Sequence, residues 1–180
     1  MTEAPPEGRG AASAEDSPGD VARTDLDSDF VEVYTAHYPR LVRALRLGGL
    51  RRQAAEDVCQ EAFARTLSHW GRVRRGSNPP GYVYRVAFRL ARRSFREEAP
   101  LSWEPAGRDE VSGQVVDKVV AEAVIAAMPH RRRACVVACL VVGLPTSEAA
   151  RALGLKEGTV RKQLERGRVD LRTALGDDVG

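Results

Sequence analysis

Residues 146–168 have the sequence TSEAARALGLKEGTVRKQLERGR, and this stretch decides the fold of the C-terminal half. It predicts a short helix that begins at a hydroxyl residue, a tight turn at Gly154, and a second helix after the turn. Two helices that cross closely need a small residue at the contact and apolar residues that anchor the second helix. Ala150, Val160 and Leu164 meet these needs. The pattern therefore predicts a helix-turn-helix.

The second helix of this motif has a polar outer face. Its outward positions are held by Arg161, Lys162, Gln163, Glu165, Arg166 and Arg168. Side chains of these types bind base edges and phosphates. A helical hairpin in a protein that does not bind DNA could imitate the turn, but rarely with this polar face. The second helix is therefore predicted to contact DNA.

Helical periodicity extends through the rest of the chain. Apolar residues at helical spacing predict a first helix, which a proline at position 39 should kink or split; they are Phe30, Tyr34, Tyr38, Leu41 and Leu45. Further helices are predicted over residues 52–68, 81–97, 115–128, 130–142, 147–153 and 157–175. Only the Val-rich run 136–142 resembles a strand. The fold class is predicted to be all-α, with a three-helix domain followed by a four-helix domain.

Stretches without helical periodicity set the predicted domain boundaries. Residues 1–28 are rich in Pro, Gly, Ala, Ser and acidic residues. Such a segment buries too little apolar surface to offset the loss of conformational entropy on ordering. It is therefore predicted to form a disordered acidic tail. Residues 98–113 are rich in Pro, Gly and acids and are predicted to be a flexible linker. The predicted domains are residues 29–97 and 114–175, with a short tail over residues 176–180.

The charge is distributed unevenly. The 180 residues contain 28 basic and 25 acidic side chains, a net charge of +3. Residues 1–29 hold eight acidic and two basic side chains, which leaves a net charge of +9 for the rest. All but three of the basic residues are Arg, whose guanidinium group suits phosphate contacts. An anionic partner is expected, and nucleic acid is the first candidate.

The predicted third helix follows a helix-start signal at Asn78-Pro79-Pro80. Its arginines recur at helical spacing and should share one face, with Arg93 beside them; they are Arg85, Arg89, Arg92 and Arg96. The apolar side is predicted to be Tyr82, Val86 and Leu90. Such a stripe could be a solvated charged face. Because like charges at this spacing repel each other, an anion along it is the better explanation.

The predicted second helix has an apolar and an acceptor-rich side. The apolar side consists of Cys59, Phe63, Thr66, Leu67 and Trp70. The other side carries Asp57, Gln60 and Glu61, which suit basic groups on another protein or, alternatively, form an ordinary solvated face.

Several functional classes have little support. No stretch approaches the ~18 to 20 apolar residues of a membrane-spanning helix, and no signal peptide is visible, so we expect a cytoplasmic protein without membrane insertion. No Ser or Cys lies near a His in a catalytic pattern, so we expect no enzyme. His130, Cys135 and Cys139 share a predicted helix, but they lack a fourth ligand and a C-x-x-C pair. We therefore expect buried cysteines and no metal or cofactor.

Three motifs in this order resemble an actinobacterial extracytoplasmic-function (ECF) sigma factor of the sigma-70 family. The first is AEDVCQEAF at residues 55–63, which is similar to the family's polymerase-binding helix. The second is PGYVYRVA at residues 80–87, which is similar to its promoter −10 helix. The third is the helix-turn-helix preceded by Met128-Pro129, which is similar to its −35 reader.

The resemblance implies three binding surfaces. Core RNA polymerase would bind Glu56, Asp57, Gln60 and Glu61. The −10 element, with one base flipped into the loop before the helix, would bind Ser77, Asn78, Tyr82, Arg85, Arg89, Arg92 and Arg93. The −35 element would bind Thr159, Arg161, Lys162, Gln163, Glu165, Arg166 and Arg168. Trp70 and Tyr82 could equally be core aromatics.

The chain departs from the family pattern within the −10 helix. Arg89 stands where many members have Asn, Arg93 where they have Asp, and Tyr82 replaces the usual Trp. These changes keep or raise the positive charge, so duplex binding is expected to survive, but the family's −10 sequence preference is not carried over to this chain.

The implied partners are core RNA polymerase, through its β′ clamp and β flap, promoter DNA, and an anti-sigma factor of the kind that holds many family members inactive. The main alternative is a stand-alone helix-turn-helix regulator. Such a protein usually dimerises, whereas this sequence has no dimerisation helix and is expected to be monomeric when free. A non-specific nucleic-acid scaffold would explain the charge but not the ordered motifs.

Overall fold

The computed structural model describes residues 18–93, 95 and 113–176, and the side chains of residues 28–93, 95 and 118–176. Every regular element in these ranges is helical, which confirms the all-α prediction. The helices are α1 (Pro18–Leu47), α2 (Arg52–Leu67), α3 (Trp70–Val73), α4 (Pro79–Ala91), α5 (Gly113–Ala127), α6 (His130–Val136), α7 (Thr146–Leu153) and α8 (Glu157–Leu175), with a π-helix (Val137–Val141) continuing from α6.

The N-terminal half packs α1 and α4 on α2. Aromatic side chains spaced along one side of α1 meet α2 and α3: the ring of Tyr34 lies 4.9 Å from that of Phe63, and Phe30 packs edge-on against Trp70 at 5.2 Å. Trp70 is only 5% exposed. The aromatic periodicity therefore serves the core, and Trp70 belongs to it.

The structure differs from four expectations for this half. Helix α1 runs from Pro18 to Leu47, so Pro39 does not split it, and it starts within the stretch predicted to be a disordered tail. Leu67 is 48% exposed, since it lies in the last turn of α2, beyond the core. Helix α4 ends at Ala91 rather than continuing to residue 97.

Helix α4 also buries a different face from the one predicted. Its buried residues are Gly81, Val83, Tyr84, Ala87, Phe88 and Ala91, whereas Tyr82, Val86 and Leu90 are only half-buried. The reason is that α4 lies between α2 on one side and α7 on the other, so its buried sector is wide. The prediction assumed that α4 packs against one neighbouring helix. A pattern read in that way does not show a buried surface that faces two helices.

The C-terminal half packs α8 across α5, α6 and α7. Gly167 permits a close crossing of α8 and α6, because a Cβ atom there would lie 2.3 Å from Cγ2 of Val136. The Val-rich run 136–142 is helical up to Val141, the last residue of the π-helix, and the hydrogen bond from Leu144 N to Ala138 O closes the turn after it.

The two halves are in contact through one continuous apolar core. Arg43 on α1 forms an ion pair with Glu122 on α5, and Arg85 on α4 forms one with Glu148 on α7. The guanidinium group of Arg133 lies against Gly49, which has a φ of 117°. The predicted linker falls almost wholly outside the described residues, and the predicted domain boundaries stay a prediction.

Candidate nucleic-acid interface

Helices α7 and α8 form the predicted helix-turn-helix. Gly154 ends α7 in the left-handed conformation, at φ 64° and ψ 43°, which a residue with a Cβ atom adopts only with strain. The N–H of Leu155 donates to Ala150 O at 2.9 Å and closes the turn. Ala150, Val160 and Leu164 are each at most 4% exposed, which confirms their predicted role at the helix contact.

The hydroxyl group at the start of α7 bonds differently from the prediction. No side chain caps α7; instead the Thr146 hydroxyl donates to the Glu157 carboxylate at 2.9 Å and joins the first turns of α7 and α8. Arg161 also donates to Glu157, at 2.6 Å. Both hydrogen bonds, that of Thr146 first, lower the pKa of Glu157. The Glu157 carboxylate therefore holds the Arg161 side chain near the start of α8. Arg161 is one of the residues predicted to contact DNA.

The outward residues of α8 form the −35 candidate surface. Arg161, Lys162, Glu165, Arg166 and Arg168 are exposed, while Thr159 and Gln163 are half-buried. The face is therefore mainly cationic and open to solvent. It can make phosphate contacts and bidentate contacts with base edges.

The loop before α4 forms a cavity at the place predicted for a flipped base. The cavity has a volume of about 490 Å³. Ser77, Asn78, Tyr82 and Arg85 all line it, together with Arg72, Val73, Gly76, Pro145 and Glu148. The structure therefore brings together four of the predicted −10 residues around one concave site, and it adds two residues from the C-terminal half that the sequence did not indicate.

Asn78 also has a structural role. Its side-chain oxygen accepts a hydrogen bond from the N–H of Gly81 at 2.8 Å and caps α4, which begins at Pro79, within the predicted helix-start signal and two residues before the predicted start of the helix. A Cβ atom on Gly81 would lie 2.4 Å from Nδ2 of Asn78. The cap therefore fixes the Asn78 side chain, and its amide nitrogen is the part left for a ligand.

Arg85 lies between the cavity and the C-terminal half. Its guanidinium carbon is 5.7 Å from the centre of the Tyr82 ring, and its Nη1 donates to Glu148 Oε2 at 2.8 Å. Glu148 was predicted only as a residue of the helix-turn-helix. Its partner lies 63 residues away, and no local pattern signals such a pair.

The other arginines near α4 do not form one continuous row without contacts to the C-terminal half. Arg89 is exposed and has no ion pair with a described carboxylate, and Arg93 is also exposed. Arg92 lies against the turn of the helix-turn-helix, because a Cβ atom on Gly154 would be 2.5 Å from its Nη1. Arg96 lies outside the described residues.

The acceptor-rich face of α2 is exposed. Glu56 accepts from Arg52 at 2.9 Å and Glu61 from Arg65 at 2.6 Å, both within one turn of the helix. Asp57 is exposed, with no ion pair among the described residues, and Gln60 is exposed beside it. Asp57 is thus the carboxylate of this face whose charge is not already offset by a neighbour.

The three cysteines are free thiols, and their surroundings disfavour the reactive thiolate form. Burial raises the pKa of the Cys59 and Cys135 thiols to about 12 and that of the Cys139 thiol to about 11. Within the described ranges no group of three or more His, Cys, Asp or Glu residues could hold a metal ion. None of the described helices is long and apolar enough to cross a membrane.

Both halves of the chain match known protein families and relatives. Residues 33–100 match the family model described as Sigma-70 region 2, and residues 119–171 match the one described as Sigma-70, region 4. The chain is 28% identical over 152 residues to the ECF RNA polymerase sigma factor SigM of Mycobacterium tuberculosis, covering 82% of this chain and 77% of that protein. It is 30% identical over 126 residues to the RNA polymerase sigma-E factor of Streptomyces antibioticus, covering 67% and 70%.

Two solved structures share the fold. One is the sigma factor RpoE of Bartonella quintana in complex with the anti-sigma factor NepR, with a TM-score of 0.57 and 17% identity over 83% of this chain and 98% of that one. The other is CnrH in complex with the cytosolic domain of CnrY, with a TM-score of 0.53 and 19% identity over 88% and 96%.

These matches decide between the functional alternatives. The presence of both sigma-70 regions in one chain, in the order of the three motifs, rules out the stand-alone regulator. The chain belongs to the sigma-70 family of RNA polymerase sigma factors, within its extracytoplasmic-function group.

Proposed function

We propose that this sigma factor recruits core RNA polymerase through α2, engages and opens the −10 element with the loop and first turns of α4, and recognises the −35 element with α8. The observation that carries this assignment is the clustering of Ser77, Asn78, Tyr82 and Arg85 around one cavity at the start of α4. The protein acts in the cytoplasm, where RNA polymerase works, and is itself no enzyme.

The −10 cavity can accept a single unstacked base. Its volume of about 490 Å³ is larger than one base requires, and the Tyr82 ring offers a face on which a base can stack. Ser77 and the amide nitrogen of Asn78 can hydrogen-bond the edge of that base. Arg85 and Arg89 supply positive charge for the flanking phosphates. Extracting a base costs a few kcal/mol, and these contacts return part of that cost.

The α2 face provides the proposed contact with polymerase. Asp57 and Gln60 are exposed side by side, and Glu56 and Glu61 flank them within ion pairs of their own. Basic groups on the polymerase clamp would find in Asp57 a carboxylate that forms no ion pair with any residue of the described ranges. The flap of the β subunit is the proposed contact of the C-terminal half.

An anti-sigma factor is proposed as a further partner. One of the two similar solved structures holds a sigma factor together with an anti-sigma factor, and the other holds CnrH together with the cytosolic domain of CnrY. The shared fold supports a regulator of the same kind for this chain.

A selection experiment tests the assignment of the surfaces. Core polymerase of the source organism is loaded with the chain and mixed with fragmented genomic DNA, and the retained fragments are sequenced. Enrichment of fragments that share two spaced elements is expected for the native chain. Arg161→Ala should relax the upstream element, and Tyr82→Ala should relax the downstream one. Retention of the same fragments by core polymerase alone would contradict the proposal.

A further inference from the structure

One carboxylate oxygen of Glu157 links the two helices of the helix-turn-helix. Its Oε1 atom accepts a hydrogen bond at 2.9 Å from the hydroxyl group of Thr146, the first residue of α7. The same oxygen accepts a second hydrogen bond at 2.6 Å from Nη2 of Arg161, one turn further along α8. The carboxylate is therefore held from a neighbouring helix while it holds an arginine on the outward face of its own helix.

The hydrogen bond from Thr146 distinguishes this ion pair from an ordinary surface pair. An exposed pair of Glu and Arg four residues apart contributes little to stability, because ordering two long side chains costs conformational entropy. Glu61 and Arg65 form such a pair within α2. At Glu157 the hydroxyl group of α7 orients the carboxylate. Less entropy is therefore lost when Arg161 bonds to it.

The pair leaves most of the Arg161 guanidinium group available to DNA. A guanidinium group has several N–H donors in a planar fork, and the contact with Glu157 uses one nitrogen. The Arg161 side chain is 69% exposed, so its other N–H groups are accessible. An arginine that is already oriented loses less side-chain entropy when it binds a base edge. Guanine fits such a contact best, because its O6 and N7 acceptors lie side by side in the major groove.

The negative charge of Glu157 also affects which part of the DNA Arg161 contacts. A carboxylate beside the guanidinium group repels phosphate oxygens and offsets part of the positive charge that attracts them. Base edges carry no net charge and are repelled less. The arrangement therefore favours contact with a base, which depends on sequence, over contact with the backbone, which does not.

We infer that Glu157 is a positioning residue for −35 recognition: held by Thr146, it directs Arg161 to the edge of a guanine and away from the phosphate backbone. This inference rests on the proposed function for the assignment of α8 to the −35 element. Neither Glu157 nor Thr146 was among the residues predicted to contact DNA, because each acts through another side chain.

Selection from a randomised duplex library tests this role. Core RNA polymerase of the source organism is loaded with the full chain, and the bound duplexes are sequenced to give the base preference at each upstream position. Arg161→Ala identifies the position that Arg161 contacts, because the preference is lost there. Glu157→Gln removes the charge at nearly constant size, and Thr146→Val removes the hydroxyl group in the same way. Asp170→Asn is the matched control, because it removes one charge and one ion pair, with Arg132, in the same helix.

Positioning predicts a change that is confined to one base position. The native chain should prefer guanine there, and Glu157→Gln and Thr146→Val should each lower this preference about three- to tenfold, which is part of the discrimination that a bidentate contact supplies. Thr146→Ser keeps the hydroxyl group and should retain the native preference, as should Asp170→Asn. When Arg161→Ala is already present, Glu157→Gln should have no further effect, because the two side chains act as one unit.

Several outcomes would overturn the inference. An unchanged preference in Glu157→Gln and Thr146→Val would show that Arg161 needs no positioning. An equal loss at every upstream position, with a lower midpoint of thermal unfolding, would show that the carboxylate only supports the packing of the two helices. A native preference for another base at that position would refute the guanine contact.

The same selection separates this inference from the proposed function. If the native chain selects no upstream element, the proposed function fails and the inference fails with it. If the native chain selects an element that Arg161→Ala relaxes but Glu157→Gln leaves unchanged, only the positioning role is refuted.

Discussion

Arg85 on α4 donates a hydrogen bond to the Glu148 carboxylate on α7 at 2.8 Å, so one ion pair joins the proposed −10 surface to the first helix of the helix-turn-helix. The −10 and −35 surfaces lie on different helices of one compact body. Because the pair is partly shielded from solvent, it competes with DNA for Arg85 more effectively than an exposed pair would.

Base contacts by α8 predict the effect of two substitutions. Arg161→Ala and Arg166→Ala should each weaken binding of the polymerase complex to its promoter by ~1 to 3 kcal/mol and relax the −35 preference. The matched control is Arg172→Ala, an exposed arginine in the last turn of the same helix. Competition binding against duplexes with altered −35 positions measures the change. Unchanged selectivity in both variants would remove the −35 assignment.

The polymerase-docking face predicts a loss of complex formation. Asp57→Arg should abolish binding to core polymerase while the thermal unfolding curve stays as in the native chain, because Asp57 is exposed and has no internal ion pair within the described ranges. Glu32→Arg on α1, also exposed, is the control with the same charge change. Gel filtration of mixtures with core polymerase is the measurement. Normal co-elution of Asp57→Arg would count against the docking face.

The close crossing of α8 and α6 predicts a loss of stability. Gly167→Ala places a methyl group against Cγ2 of Val136 and should lower the free energy of unfolding by about 1 to 3 kcal/mol. Gly158→Ala is the control in the same helix, because a Cβ atom there meets nothing within 4 Å. Adding Val136→Ala to Gly167→Ala should change the free energy of unfolding non-additively, since the two residues share one space. Urea denaturation measures all four proteins.

Burial of His37 predicts a pH dependence of stability. Burial, and then the charge of Arg40, lower the pKa of His37 below 6.5 in the folded chain. The unfolded chain therefore binds a proton first as the pH falls, so the free energy of unfolding should decrease from about pH 6.5 downward to the folded pKa. Urea denaturation at pH 7.5 and pH 5.5 tests this, with His37→Gln expected to reduce the difference. An equal difference in the variant would exclude His37 as its source.

The thiol environment predicts low reactivity. With pKa values of about 12, the Cys59 and Cys135 thiols are almost wholly protonated at neutral pH, so alkylation by iodoacetamide should be far slower than for a free thiol. Cys139, at about 11 and half-buried, should react first of the three. Mass spectrometry with and without urea distinguishes the sites. Rapid native labelling of Cys59 would contradict its burial.

Local patterns predicted the helices and the helix-turn-helix because their signals lie within a few residues. The turn at Gly154, the anchors Val160 and Leu164, and the helix-start signal at Asn78-Pro79-Pro80 were all recognisable in this way. The exposed Leu67 shows the limit of periodicity, since a residue on the apolar side leaves the core where its helix runs past its partner.

Contacts between the halves were not predictable from the sequence. The Arg85–Glu148 pair spans 63 residues and the Arg43–Glu122 pair spans 79. All four residues are Arg or Glu, which are ordinary charged residues on protein surfaces. Only the packing of α4 against α7 and of α1 against α5 reveals that part of the basic face is occupied within the chain.

Run-off transcription tests the central claim most directly. Purified chain and core RNA polymerase of the source organism are supplied with a genomic fragment library, and the 5′ ends of the RNA are mapped. The account predicts new start sites that share two spaced upstream elements, that are absent without the chain, and that are lost with Asp57→Arg. Transcripts that are identical with and without the chain, while the chain binds discrete DNA sites alone, would contradict it.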